Sequence, residues 1–441
     1  LMNRIIYFCI TLACFLCSSC NDYLNIAPKG NKIPTTLADF EALLRDQYTI
    51  SRTPVENALY LLNDVYLTNA KVNTPSLSQA NYMWDESADR IMLNNADEGT
   101  YYVLYGAISS CNLIIANAPT ATEATDAERK EVMAYAKVIR ALCYDVLVNY
   151  YADTYDKATA AEKRSVPLIT SADIDAPYTQ VSIQDMYDFI IQDTKEAIEM
   201  GIPAQSMTAI HPNLGAAYAL LARVYLYAQK EDEALEQAKE VMNFASKKGA
   251  FSLADRFYYG DRKCYSDVIF GLHVIDLLDY NKDIMSMENE DDVKYLAVLE
   301  ADKNYFGEDL EMSKGDNGTI MTSNDYRFKY WIEDMNNEHY SYRLTKYDAS
   351  TSGATAGVME VSDHIVPFIR MSEVYYIAAE ILCKRGAEGL TKAKSYLSYI
   401  KGRRGLKKTD MTLQKIENAQ PDEFMDLLIN DMRREWIGEG Q

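Results

Sequence analysis

The segment Ala219–Met242, ALLARVYLYAQKEDEALEQAKEVM, constrains the fold more than any other stretch of the chain. Two runs with apolar residues at three- and four-residue spacing flank the polar turn Gln229-Lys230-Glu231-Asp232. A connection this short forces the helices to lie antiparallel, alanines let their backbones approach, and Tyr and Leu fill the seam. Neither amphipathic helix can bury its apolar stripe alone, so such a pair must stack on further helices.

The rest of the chain supplies those helices. The segment just described reads like a tetratricopeptide helix pair, with Asn213–Ala228 as its first helix and Glu231–Ala245 as its second. Tyr101–Ala116 repeats apolar residues at helical spacing and is stopped by Pro119; Asp126–Tyr151 opens on acidic residues that suit a helix N-terminus. These two are expected to form a hairpin. Ser182–Met200 begins on a capping serine and ends before Gly201 and Pro203. A late pair is expected from Phe368–Arg385 and Leu390–Lys401, the second ending at Gly402-Arg403-Arg404-Gly405, and a last helix starts near Asp422. Between about 246 and 365 β-like stretches such as DVIFGLHVI alternate with polar loops, an irregular insertion of the kind that carries specificity on a rigid frame. The expected fold is therefore mostly α: helix pairs form a scaffold, and a loop-rich insertion holds a few short strands.

The N-terminus sets the compartment. Arg4 precedes the apolar run Ile5–Leu16, which ends in Cys17-Ser18-Ser19-Cys20. The run is twelve residues long, too short to cross a bilayer as a helix, which takes about 20 residues. Small residues directly before Cys20 resemble a bacterial lipobox, although Cys17 stands where leucine is usual. Residues 1–19 are thus expected to be a lipoprotein signal peptide, with Cys20 acylated as the first mature residue. Export also bears on the other cysteines. Cys111, Cys143 and Cys383 lie in apolar helical patterns and Cys264 in the insertion, without CxxC or Cys-His spacing, so they read as buried hydrophobes rather than a disulfide framework or a zinc site.

Charge excludes one class of partner. Forty-four Lys and Arg stand against 65 Asp and Glu, a net charge of −21, and no basic face is visible for a phosphate backbone, so nucleic acid is not a partner. The same abundance of carboxylates makes chance acid pairs uninformative for glycoside hydrolysis. His211, His273, His339 and His364 lie far apart, and GxSxG, GxxxxGK[ST] and GxGxxG are all missing. The expectation is a protein that is not an enzyme and has no cofactor. Asp279, Asn281, Asp283 and Glu290 have the spacing of a calcium loop, but its sixth position is Ile284 where the turn needs glycine, so the stretch reads as a solvated acidic loop and no metal site is assigned.

Four segments carry a family resemblance. Cys20–Pro28 (CNDYLNIAP) resembles the C-x-DYLDxxP opening of mature SusD/RagB-family lipoproteins, with Asn25 in place of the commoner Asp. Leu104–Ile115 (LYGAISSCNLII), Pro367–Glu380 (PFIRMSEVYYIAAE) and Met432–Gln441 (MRREWIGEGQ) look like the same family. The last segment is normally followed by more chain, so the resemblance implies a tail beyond Gln441. It also implies one SusD-like α-helical domain from 20 to 441: an N-terminal half to about 245, the insertion over about 246–365 and C-terminal helices from about 366. The implied protein is a Bacteroidetes lipoprotein on the cell surface, anchored in the outer membrane through Cys20. It captures an oligosaccharide, or in RagB-like members a peptide, and passes it to a SusC-like TonB-dependent transporter. A helical-repeat scaffold binding a protein partner is the reading from a different class.

Sugar capture needs a flat ring to stack on a pyranose face, flanked by amides or carboxylates that bond its hydroxyls. Two clusters meet that need: Asn81, Tyr82, Trp84 and Asp85 before the Tyr101 helix, and Tyr326, Tyr330 and Trp331 in the insertion. Family members draw an aromatic arc from these two regions. Trp84 and Trp331 suit a core or transporter-facing position equally well, Trp436 reads as structural, and Arg370 with Glu373 reads as a charge pair at a helix start. Finally, 34 tyrosines against 12 phenylalanines suit either a broad binding face or rings packed between helices with their hydroxyls at the surface.

Overall fold

The structure is a computed structural model that describes residues 34–48, 65–67, 80–81, 83–89, 92–93, 99–248 without 174 and 205–209, 267–273, 295–297, 310–334 without 316–317, 342–344, 365–437 and 439. The signal peptide, Cys20, the CNDYLNIAP opening, Tyr82, Cys264 and the calcium-spaced loop lie outside the described residues, as does the side chain of Tyr330. The helices are α1 (Leu37–Tyr48), α2 (Gly99–Asn117), α3 (Asp126–Tyr151), α4 (Ile183–Glu199), α5 (Leu214–Tyr227), α6 (Glu231–Lys248), α7 (Tyr326–Trp331), α8 (Met371–Cys383), α9 (Gly386–Arg403), α10 (Met411–Asn418) and α11 (Pro421–Trp436). The strands are β1 (Val65–Leu67), β2 (Arg164–Pro167), β3 (Gln180–Ser182), β4 (Val268–His273), β5 (Tyr295–Ala297), β6 (Leu310–Gly315), β7 (Gly318–Ser323), β8 (Ile332–Asp334), β9 (Tyr342–Leu344) and β10 (Ile365–Arg370). The fold is mostly helical, with short two-stranded antiparallel ribbons, β1–β5, β2–β3, β4–β10, β6–β7 and β8–β9.

Local chemistry sets the helix ends. Thr125 caps α3 with a reciprocal box: its hydroxyl accepts the Glu128 N–H at 3.3 Å, and the Glu128 carboxylate accepts the Thr125 N–H at 2.7 Å. Ser182 Oγ accepts the Asp185 N–H at 3.0 Å to start α4, and Asn213 Oδ1 accepts the Ala216 N–H at 3.0 Å to start α5. Helix α11 begins on Pro421, whose missing N–H costs nothing in the first turn. Its N-cap residue, Gln420, exchanges a capping box with Glu423.

Packing follows the hairpins. Helices α2 with α3, α3 with α4, α5 with α6 and α8 with α9 lie side by side, and α6 meets α8, so the late pair stacks on the tetratricopeptide-like pair. Ala216, Ala219 and Ala222 of α5 and Ala234 and Ala238 of α6 are all buried, and such short side chains allow helices to approach closely. In α9, a Cβ on Gly389 would stand 2.4 Å from the Leu382 carbonyl oxygen, so glycine sets the distance between α8 and α9. Cys111, Cys143 and Cys383 are buried free thiols, and burial pushes Cys143 up to about 12.

Charged side chains also lock the scaffold. The Arg140 guanidinium donates to both Asp193 oxygens at 2.8 Å and to Asn112 Oδ1 at 2.6 Å, joining α3, α4 and α2. Arg223 of α5 donates to Glu373 of α8 and to Asp145 of α3. Glu373 therefore does not pair with Arg370, contrary to the expected helix-start pair; the two point into separate buried networks. A second correction concerns the helix expected from Phe368: residues through Arg370 belong to β10, and α8 starts only at Met371. Pairing with Val268–His273 holds IVPFIR extended and overrides its local ambiguity. Helix α9 likewise starts at Gly386 rather than Leu390.

Candidate functional site

The first candidate segment is one turn. Residues Ala80 and Asn81 are helical, Ala80 is buried, and the Trp84 and Asp85 N–H groups donate to the Asn81 and Ala80 carbonyls at 3.1 and 2.9 Å. Trp84 then takes a left-handed backbone, φ 52°, and its indole is 63% exposed, with Met83 beside it at 58%. For a bulky non-glycine residue that conformation costs about 1–2 kcal/mol. Asp85 Oδ1 accepts the Ser87 N–H at 2.9 Å and the Ser87 hydroxyl at 2.6 Å, which fixes the carboxylate of the residue after Trp84. A π-face beside an oriented carboxylate can stack on an apolar face and accept hydroxyl protons.

The second segment, α7, is pinned from below. Asp325 Oδ1 accepts the Arg327 N–H at 3.0 Å, Phe328 and Trp331 turn inward at 7% and 1% exposure, and Lys329 faces outward. Trp331 is thus a core residue and cannot present a ring to a ligand, which corrects its expected stacking role. Tyr326 is half-buried, and its N–H donates to the Arg404 carbonyl at 2.7 Å. A Cβ on Gly405 would stand 2.8 Å from Tyr326 Cε1 and 2.9 Å from Cδ1, so that ring lies directly on the glycine. The structure thus leaves Asn81, Trp84 and Asp85 in one turn and Tyr326 half-buried at the start of α7, its ring against Gly405.

Beneath α7 lies a buried charge cluster that sequence reasoning missed. The Glu435 carboxylate of α11 accepts from Arg327 Nη1 at 3.0 Å, Arg370 Nη1 at 2.7 Å, and Arg404 Nε at 3.0 Å and Nη2. Asp431, one turn earlier, accepts from Arg327 Nη2 at 2.7 Å and from the Tyr376 hydroxyl at 2.8 Å, and pairs with Lys401 at 3.0 Å. Asp267 takes Arg404 Nη2 at 2.9 Å. All of these charged groups are buried. Burial alone would raise the Glu435 carboxyl, but the Arg404 and Arg370 guanidiniums overcome it and hold it well below the usual carboxylate range. Asp431 is lowered in the same way by Arg327 and Lys401. The signals in the sequence were the arginine-rich GRRG at 402–405 and the charged MRREW segment at 432–436.

A tyrosine array caps the α2–α3 hairpin. The Tyr101 ring sits 4.6 Å from Tyr105, 5.5 Å from Tyr151 and 6.2 Å from Tyr102, the last two edge to face. The Tyr105 and Tyr144 hydroxyls donate to the Pro167 and Ile169 carbonyls at 2.6 and 3.0 Å, so these rings pin the following loop, while Tyr102 and Tyr178 remain 74% and 61% exposed. Among the described residues no cluster of three or more metal-ligating side chains forms, and no helix is long and apolar enough to cross a membrane.

Known proteins share this architecture. Residues 22–226 match the family described as "Starch-binding associating with outer membrane", and residues 230–441 match the SusD family. A SusD-like protein of Formosa agariphila is 22% identical over all of this chain and 88% of its own length. Among solved structures, a SusD superfamily protein of Bacteroides thetaiotaomicron is similar with a TM-score of 0.71 at 20% identity, covering 92% of this chain and 87% of that one. A laminarin-binding SusD-like protein is similar with a TM-score of 0.64 at 18% identity, covering 92% and 90%. Two family matches that together span nearly the whole chain, and the helix-pair fold they share with it, make this protein a member of the outer-membrane-associated, carbohydrate-binding SusD family.

Proposed function

We propose that this chain is a non-catalytic capture protein for oligosaccharides, which it holds at the Trp84 surface and passes to a SusC-like TonB-dependent transporter. In this reading residues 1–19 are removed, Cys20 is acylated, and the domain from Cys20 to Gln441 sits on the cell surface as a lid over the transporter. The observation that carries the reading is Trp84: a tryptophan 63% exposed on a left-handed backbone, followed by Asp85, whose carboxylate is held by Ser87. Asn81 and the half-buried Tyr326 supply further polar and aromatic contacts. The laminarin-binding relative of the same fold supports a polysaccharide as the ligand class.

The test is a glycan-array screen of the mature chain, with a peptide mixture run alongside. Oligosaccharide binding by the wild type, lost in Trp84→Ala, supports the reading. A peptide hit with silence on every sugar sinks it in favour of peptide capture.

A further inference from the structure

Gly405 stands out among the glycines. Its φ is +100°, and a Cβ there would meet the Asn324 carbonyl oxygen at 2.5 Å and the Tyr326 ring at 2.8 and 2.9 Å. Gly386, at the α8–α9 corner, has φ +73° but nothing within 4 Å of its Cβ position. Left-handed backbone alone therefore explains Gly386, whereas at Gly405 a side chain is excluded both by the Asn324 carbonyl oxygen and by the ring of a candidate ligand contact.

The ring is clamped from both sides in sequence. Before it, Asp325 is bound by Arg327, whose guanidinium also reaches Asp431 and Glu435 of α11. Across from it, the Arg404 carbonyl holds the Tyr326 N–H at 2.7 Å, while the Arg404 side chain is locked by Glu435 and Asp267. One carboxylate of the terminal helix thus fixes both the start of α7 that carries Tyr326 and the helix end that forms its seat. A stacking ring that is already fixed loses little side-chain entropy when a ligand arrives.

We infer that Gly405 is a positioning residue for the ligand surface: its bare Cα is the seat on which Tyr326 is held in one orientation, and the α11 charge cluster keeps seat and ring together. This rests on the proposal that Tyr326 contacts captured oligosaccharide. The experiment is a double-mutant cycle on the mature chain, in which binding of a soluble oligosaccharide panel, laminarin-derived β-glucans included, is titrated for wild type, Gly405→Ala, Tyr326→Ala, the double variant and Gly386→Ala. Gly405→Ala is expected to weaken binding about tenfold in the wild-type background and to have no further effect once Tyr326 is alanine. Gly386→Ala also places a side chain on positive-φ backbone, without a steric clash, and is expected to bind like wild type. If Gly405→Ala does not fold, Arg404→Lys, which keeps the charge and adds no Cβ at the seat but loosens the residue whose carbonyl holds the Tyr326 N–H, takes its place and is expected to weaken binding only while Tyr326 is present. Additive losses in the cycle, equal losses from the two glycine variants, or unchanged binding in Tyr326→Ala would overturn the inference while leaving oligosaccharide capture intact. Silence of the wild type on the whole panel would remove the capture reading, and the inference with it.

Discussion

Replacing Glu435 by Gln keeps the shape of the α11 side chain and removes one charge, and the structure says what that charge holds. Its two oxygens accept four guanidinium hydrogen bonds from Arg327, Arg370 and Arg404, which come from α7, the end of β10 and the end of α9. All three arginines are at most 1% exposed, so water cannot replace the lost acceptor. Removing one partner from a buried ion network costs about 3–5 kcal/mol, because the remaining charges are left uncompensated. An exposed pair is a fair contrast: Arg129–Asp126 on α3 has side-chain exposures of 25% and 92%, and Asp126→Asn should cost under about 1 kcal/mol. Urea unfolding followed by circular dichroism measures both variants against wild type. If Glu435→Gln loses less than about 1 kcal/mol, the terminal helix does not hold these segments together, and the reasoning about the cluster is wrong.

Three further outcomes follow from burial. Trp331→Ala should lose about 3–5 kcal/mol because its ring is 1% exposed, whereas Trp84→Ala should unfold at the wild-type urea concentration; equal stability of the two would contradict the separation of core and surface tryptophans. Asp431 and Glu435 have folded pKa values below those of the unfolded chain, about 4, so the stability they contribute is present above that pH and is lost as pH falls through their folded values. Asp145 and Glu380, raised by burial, work in the opposite direction, but neither belongs to the α11 cluster. Unfolding free energy should therefore drop between pH 5 and pH 2, by less in Glu435→Gln than in wild type, and parallel pH profiles would speak against the assignment. Burial also raises Cys111 and Cys143, so mass spectrometry after treatment with a thiol reagent should find both unmodified in the folded protein and labelled in urea; rapid labelling of folded protein would contradict their place in the α2–α3 seam.

Helices with local signals were legible in the sequence. Asp126–Tyr151 is bounded as its acidic start indicates, because Thr125 and Glu128 close a capping box within four residues. The Gln229 turn and its two flanking helices needed only alanine spacing and a tight connection. What depended on distant partners was not legible. Phe368–Arg370 looks helical in isolation and becomes strand because Val268–His273 lies against it, about a hundred residues away in sequence. Gly389 reads as a break but sits inside α9, where the Leu382 carbonyl on α8 excludes a Cβ. At the site, Trp84 and Trp331 have the same residue type and similar neighbours, yet one is aimed outward by a left-handed turn and the other is drawn inward with Phe328. The charge cluster was hidden for the same reason, since its partners lie up to 137 residues apart and a charged residue does not announce burial by its identity.

Oligosaccharide capture at the Trp84 surface is tested most directly by calorimetric titration of the mature wild-type chain and Trp84→Ala with the oligosaccharide that binds best on the array. The account predicts saturable binding by wild type and at least a tenfold loss in Trp84→Ala, with the two proteins unfolding at the same urea concentration. Equal affinities for wild type and Trp84→Ala would contradict it.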